Sequence, residues 1–176
     1  MPDPRIEKLA QVLVDYSVEV KPGDKILVQG GAVAEPLLVA VVKEILRAGG
    51  HPFTMVQLPG LDEVRFRYAS DEQLQHLPEP LELVIETFDG SISLMSSLNT
   101  KAMTGVPPRK LMLTSQAQQP LLQTMMQRTA AGEFAWVGTL FPTNAYAQDA
   151  EMSLAEYEDF VYGACLPNLD DPVAAW

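Results

Sequence analysis

Apolar positions along the chain change their spacing from one stretch to the next, and each spacing predicts an element. Lys25-Ile-Leu-Val-Gln-Gly-Gly is a short apolar run with β-branched residues. Ala34 to Gly50 carries apolar residues at intervals of three and four and closes on Gly49-Gly50. His51-Pro-Phe-Thr-Met-Val-Gln-Leu is a second strand-like run. Strand, helix and strand in that order form a βαβ unit, whose crossover makes the two strands parallel neighbours. Pro36 suits the first helical turn, and Glu35 beside it complements the positive end of the helix dipole. Leu37, Leu38, Val41, Val42, Ile45 and Leu46 are expected to face the sheet, with Lys43, Glu44 and Arg47 turned to water.

The same reading extends in both directions. Asp3 is an N-cap with Pro4 at the first helical position, and Ile6, Leu9, Ala10, Leu13, Val14 and Ser17 form the inner stripe of an opening helix. Lys21-Pro-Gly-Asp turns the chain into the first strand, and Pro59-Gly60 ends the second. Two short helices follow over residues 61–68 and 70–77, the latter capped by Ser70. Residues 81–88 read as a helix, Asp89-Gly90 as a turn, and Ser91-Ile-Ser-Leu-Met-Ser as a third strand.

A long helix is expected from Pro108 to Ala131, apolar at Leu111, Leu113, Ala117, Leu121, Leu122, Met125 and Met126, with Pro120 kinking or splitting it. Gly132 closes it, and residues 134–141 form a fourth strand stopped by Pro142. Residues 144–150 make a short helix or turn. Ser153-Leu-Ala-Glu156 is a capping box for a last helix ending near Cys165. The sum is an α/β fold, a three-layer sandwich around a mainly parallel sheet of four or five strands built from βαβ units.

Composition narrows what such a domain does. At 176 residues and 47% hydrophobic, the chain suits one domain able to bury roughly two-thirds of its unfolded surface. A formal charge of −11 with only 12 scattered Lys and Arg excludes a nucleic-acid partner. Met1-Pro-Asp-Pro has neither a basic nor an apolar leader segment, and no run approaches a membrane span, so no membrane partner and a cytoplasmic location are expected. The single Cys165 sits among Phe160, Val161, Tyr162 and Leu166 and reads as a packed thiol.

Candidate chemistry is sparse. Gly30-Gly31 lies between a strand and a helix, as phosphate-cradling loops do, yet it lacks the spaced glycines of a dinucleotide fingerprint, and Glu35 would repel phosphate. Only His51 and His76 offer imidazoles, and neither has a spaced partner for a metal. Asp149, Glu151, Glu156, Glu158 and Asp159 read as a solvated helix face. No Gly-x-Ser-x-Gly elbow appears.

At the C-terminus, Asp171 and Pro172 open a helix that Val-Ala-Ala-Trp176 only begins. Either the tail is frayed and tied down by Trp176, or residues 1–166 form a domain and residues 167–176 a linker or helix leading to a further one.

Several stretches together resemble one known family. Asp3-Pro-Arg-Ile-Glu-Lys-Leu-Ala, Val20-Lys-Pro-Gly-Asp, Ala34-Glu-Pro-Leu, Ala48-Gly-Gly-His-Pro, Tyr68-Ala-Ser-Asp-Glu-Gln-Leu, Ser97-Leu-Asn-Thr and the run from Phe141 to Val161 resemble, in order, the N-terminal half of the thermophilic metallo-aminopeptidases, the aminopeptidase T and aminopeptidase S family. The resemblance implies a domain that helps to enclose a peptide substrate, packs beside its own C-terminal catalytic domain and supports a homodimer. It implies two divalent metal ions, cobalt, zinc or magnesium, held by Glu, His, Asp and Tyr ligands of that other half, so no metal ligand is carried onto this chain. Leu94-Met95 and Pro107-Pro108-Arg109-Lys110 depart from the family pattern. The loop of Phe141, Pro142, Thr143 and Tyr146 either faces the catalytic half or is a turn whose aromatics cover the sheet. The competing functional class is a stand-alone binding or scaffold protein without activity.

Overall fold

In a computed structural model describing residues Asp3–Ala175, four parallel strands pair in the order β2-β1-β3-β4. They are β1 (Lys25–Gly31), β2 (His51–Gln57), β3 (Gly90–Met95) and β4 (Ala135–Leu140). The helices are α1 (Pro4–Gln11), α2 (Glu35–Arg47), α3 (Leu61–Tyr68), α4 (Asp71–Gln75), α5 (Glu79–Thr87), α6 (Pro108–Ala130), α7 (Asn144–Asp149), α8 (Leu154–Cys165) and α9 (Pro172–Ala175). They flank the sheet in a three-layer α/β sandwich, and the expected βαβ unit is β1-α2-β2. Trp176, the expected anchor of the tail, lies outside the described residues.

Register fixes which residues share a face. Ile26, Ile92 and Val137 belong to one face, because Ile26 pairs with Gly90 and Val28 pairs with Ile92, which pairs in turn with Val137. On that face Ile26, Val28, Ile92 and Leu94 join Leu9, Leu13, Val14, Leu37, Val41 and Ile45 in the main core, with Tyr162 and Leu166 of and beyond α8 at its margin. Past Gln11 the first helix widens into a π-helical turn, Val12–Ser17, in which the Val18 N–H reaches the Leu13 carbonyl. Val12, Leu13 and Val14 are all buried there, three consecutive positions that a 3.6-residue stripe does not group.

The opposite face is covered unevenly. Leu27 and Ser91 are buried at its centre, whereas Phe53, Met95 and Trp136 around them are about half exposed. A second, small core of Phe66, Leu74 and Leu113 joins α3, α4 and α6. Polar contacts stitch this layer. The Lys110 Nζ donates to the carbonyls of Phe66 (2.6 Å) and Ala69 (3.3 Å), placing a cation at the negative end of α3. Arg128 Nη1 donates to Ile85 O (2.7 Å) and Phe88 O (2.8 Å), and its guanidinium lies 5.6 Å from the Phe134 ring centroid.

Four expectations need correction. Glu44 is buried, not solvated, with its carboxylate 2.9 Å from Arg47 Nη1 and 3.7 Å from Lys43 Nζ, while Leu46 is 59% exposed. The inward stripe of α2 is therefore Leu37, Leu38, Ala40, Val41, Glu44 and Ile45, because α1 as well as the sheet packs on it. Of the two outcomes expected at Pro120, splitting does not occur, and α6 runs unbroken from Pro108 to Ala130, since a proline removes one donor while the neighbouring turns keep theirs. Only Leu113 of the apolar positions of α6 is buried. Asp89-Gly90 is not a free turn: the Asp89 carboxylate accepts from the Lys25 N–H (2.8 Å), and a Cβ on Gly90 would stand 2.6 Å from Ala135 O, so glycine is required by close strand approach.

Caps agree with expectation. Asp3 accepts from the Arg5 N–H, and capping boxes close the starts of α4 (Ser70, Gln73) and α8 (Ser153, Glu156).

The unequal layers predict unequal costs. Ile92→Ala should destabilise by about 2–5 kcal/mol, and Leu122→Ala, on the exposed side of α6, should leave the urea midpoint nearly unchanged. Hydrogen bonds from the Arg5 side chain hold the Asp3 carboxyl below its ordinary range. Its stabilisation is present above the unfolded-state value and is lost as pH falls through the lower folded one. The stability difference between the parent chain and Asp3→Asn should accordingly shrink as pH drops below about 4 in urea titrations.

Candidate functional site

All four strands of a parallel sheet end on the same side, and their connecting loops gather there. The chain leaves β1 toward β2 on one side and reaches β3 on the other, so the loops diverge between β1 and β3. Such a switch point leaves a crevice beyond the carboxyl ends of the strands. A crevice of about 210 Å³ lies there, floored by Gly31 and Ala32 and walled by Gln57 and Asp62 from the β2 side and by Ser97 and Asn99 from the β3 side.

Local hydrogen bonds hold its walls. The Gly31 N–H donates to Ser96 Oγ (3.2 Å), joining the ends of β1 and β3. The Asn99 N–H donates to Ser97 Oγ (3.2 Å), and Asn99 Oδ1 accepts from the Lys101 N–H (2.9 Å). Lys101 Nζ then reaches Asp149 Oδ1 at 3.2 Å and ties this loop to the end of α7. Hydrogen bonds from Thr100 and then Lys101 hold the Asp149 carboxyl below its ordinary range. The charged side chains that line the crevice, Asp62 and Glu63, are both acidic.

Gly30-Gly31 has a structural explanation. Gly31 has an extended backbone (φ −73°, ψ 152°) that any residue adopts, but a Cβ there would meet Ser96 Oγ at 2.7 Å. Its N–H is already taken by Ser96, so the pair serves strand approach and not a phosphate cradle.

Phe141, Pro142, Thr143 and Tyr146 follow β4 at the same end of the sheet, outside the crevice lining. The Phe141 N–H donates to Met95 O (2.9 Å), and its side chain packs on the main core. Pro142 and Thr143 are buried, and Thr143 Oγ1 accepts from the Tyr146 N–H (3.3 Å), capping α7. Burial, then the neighbouring Tyr157, raises the Tyr146 phenol above its ordinary value. Ser97, Asn99, Gln57 and Asp62 were not singled out as site residues from the sequence. Their signal was positional, since each lies within a few residues of a strand's carboxyl end.

The remaining candidates are dispersed. His51 opens β2 at the far end of the sheet, and His76 follows α4. Among the described residues no three His, Cys, Asp or Glu side chains converge to hold a metal ion, so these residues do not fit a metal centre. Of the acidic set, Glu156 caps α8, and Glu158 and Asp159 approach Arg5 at 3.9 Å and 2.6 Å. Cys165 is half-buried against the main core, and burial raises its thiol despite a hydrogen bond with Thr139. It is a packing group whose burial favours the neutral thiol. No described helix is long and apolar enough to cross a membrane.

A family model for thermophilic metalloproteases (M29) matches residues 2–176. Aminopeptidase 2 of Geobacillus stearothermophilus is 22% identical over 182 residues, a match covering 97% of this chain and 44% of that protein. Among solved structures, wild-type AmpT from Thermus thermophilus aligns with a TM-score of 0.75 at 18% identity, over 98% of this chain and 44% of that one. At that identity the likeness establishes the fold. The chain thus spans less than half the length of both relatives.

The switch-point contact yields a paired prediction. Gly31→Ala should cost about 1–3 kcal/mol by overpacking. Adding Ser96→Ala, which removes the clashing oxygen, should recover most of that loss in thermal or urea unfolding.

Proposed function

Because the chain belongs to the thermophilic metalloprotease family M29, we propose that it is the N-terminal, substrate-enclosing and dimer-supporting domain of a metal-dependent aminopeptidase. One observation carries the reading: relatives match nearly the whole chain yet extend to more than twice its length, while its own described residues assemble no metal centre. In this reading two divalent ions, cobalt, zinc or magnesium, sit in a catalytic domain that follows. Residues 167–176 lead toward it, and the location is cytoplasmic.

The carboxyl end of the sheet is the surface proposed to face the catalytic domain. Its crevice presents the polar groups of Gln57, Ser97 and Asn99 on loops anchored by a rigid sheet, the usual placing of binding residues. Phe141, Pro142, Thr143 and Tyr146 form the adjoining rim. Asp62, Glu63 and the net charge of −11 give a peptide with a free amino group a favourable approach.

The test compares two proteins: the 176-residue chain, and the product of the full reading frame that contains it. The full product should release the N-terminal residue from a leucyl substrate, and a chelator should abolish that release. The chain alone should release none, with or without added cobalt. Metal-dependent release by the chain alone would contradict the assignment. So would a full product that ends at Trp176 and is inactive, the outcome expected of a stand-alone binding protein.

A further inference from the structure

Between α3, α4 and α6, and closed by the start of α5, lies a hollow of about 270 Å³. That is below the roughly 300–1,000 Å³ of sites for drug-sized ligands and suits a single amino-acid residue. Its apolar floor is Leu74, fully buried in the small core, with Leu77, Leu81 and Ala117 beside it. Around this floor stand Arg65 from α3, Gln73 of α4, His76 just past it and Gln118 from α6. No Asp or Glu is among its described lining residues, although acidic residues outnumber Lys and Arg by 23 to 12 along the chain. Three other hollows of the surface each contain one or two, namely Asp62 with Glu63, Glu35, and Glu72.

The polar groups of this hollow have donors to spare. Of the six arginines in the chain, Arg5, Arg47, Arg109 and Arg128 pair with described carboxylates. The Arg65 guanidinium makes no hydrogen bond or ion pair with a described residue, and neither does the His76 imidazole. Gln73 Oε1 accepts from the Ser70 N–H (2.8 Å), which leaves Gln73 Nε2 to donate. Glu72 adjoins His76 from the neighbouring hollow, so Arg65 is the group whose charge the lining leaves unanswered.

From these features we infer that the hollow binds the C-terminal residue of a peptide, with its carboxylate on Arg65 and its apolar side chain over Leu74. A guanidinium presents parallel N–H donors that match the two oxygens of a carboxylate, and Gln73 Nε2 adds another. The Gln118 amide can accept from the peptide N–H of the bound residue. A free amino acid fits less well, because its ammonium would lose water and meet no carboxylate in the lining. That difference singles out the end of a peptide. Charge complementarity points the same way: α3 gives Asp62 and Glu63 to the switch-point crevice and Arg65 to this hollow, and a free peptide carries the same pair of opposite charges at its two ends. The inference adds a substrate contact to the proposed function and rests on that reading for its purpose, whereas the binding itself belongs to this chain.

N-acetyl-leucine is the probe, since it carries the carboxylate, amide and side chain of a C-terminal residue but no amine for an aminopeptidase to act on. Titrated into the isotopically labelled 176-residue chain, it should give saturable shifts of the Leu74, Leu77 and Gln118 amide resonances. N-acetyl-leucinamide, which lacks the charge, and free leucine should each bind roughly tenfold more weakly or worse. Arg65→Gln should weaken N-acetyl-leucine by a similar factor, and Arg65→Lys by less. Arg65 is exposed, so the remaining resonances should stay in place. Arg67→Gln, on the same helix but outside the hollow, should leave binding unchanged. Equal binding of acid and amide, equal losses in Arg65→Gln and Arg67→Gln, or no saturable shift overturns the inference. Free leucine binding as tightly as N-acetyl-leucine overturns it too, by making the hollow an amino-acid site. None of these results bears on leucine release by the longer protein, so a failure here and a failure of the proposed function are distinguishable.

Discussion

The pairing of β1 with β3 is the contact on which the rest of the structure depends. It joins segments more than sixty residues apart and is reinforced along its length. The Lys25 N–H donates to the Asp89 carboxylate at the start, Gln29 Nε2 to Ser93 Oγ (2.8 Å) in the middle and the Gly31 N–H to Ser96 Oγ at the end. It aligns Ile26 and Val28 with Ile92 and Leu94 under α1 and α2. It also creates the switch point. Without it the main core would lose half its sheet face and the crevice would lose one wall. Glycine at 31 follows from the same closeness, since a Cβ there would collide with Ser96 just past β3, whereas glycine at 90 is required by the approach of β4.

Much of this architecture was legible in the sequence because local signals agreed with the fold. The β1-α2-β2 unit, the Asp3 cap, the Ser70 and Ser153 boxes and the ends of α3 emerge where the spacing and the capping residues place them. What was missed depends on tertiary neighbours. Glu44 turns inward because α1 claims that side of α2. Leu46 turns outward because no described residue covers the stripe above β2. A helical period says that a stripe exists but not how many partners it has. The run Val12-Leu13-Val14 is likewise buried as a block only because the helix widens there. The crevice was invisible for another reason: it is an outcome of strand order, and its residues come from three separate loops.

The two helical layers contribute unequally. One face of the sheet is sealed by the main core, while Phe53, Met95 and Trp136 on the other remain half exposed, and α6 buries a single side chain along its 23 residues. The proposed catalytic domain would cover part of this apolar surface.

The central claim is that this chain shapes a peptidase without holding its metals. Calorimetric titration of cobalt and of zinc into the 176-residue chain tests it most directly. The account predicts heats of dilution only, because His51 and His76 stand apart and no described group of carboxylates, imidazoles and thiol converges. Saturable, stoichiometric binding of either ion would contradict it.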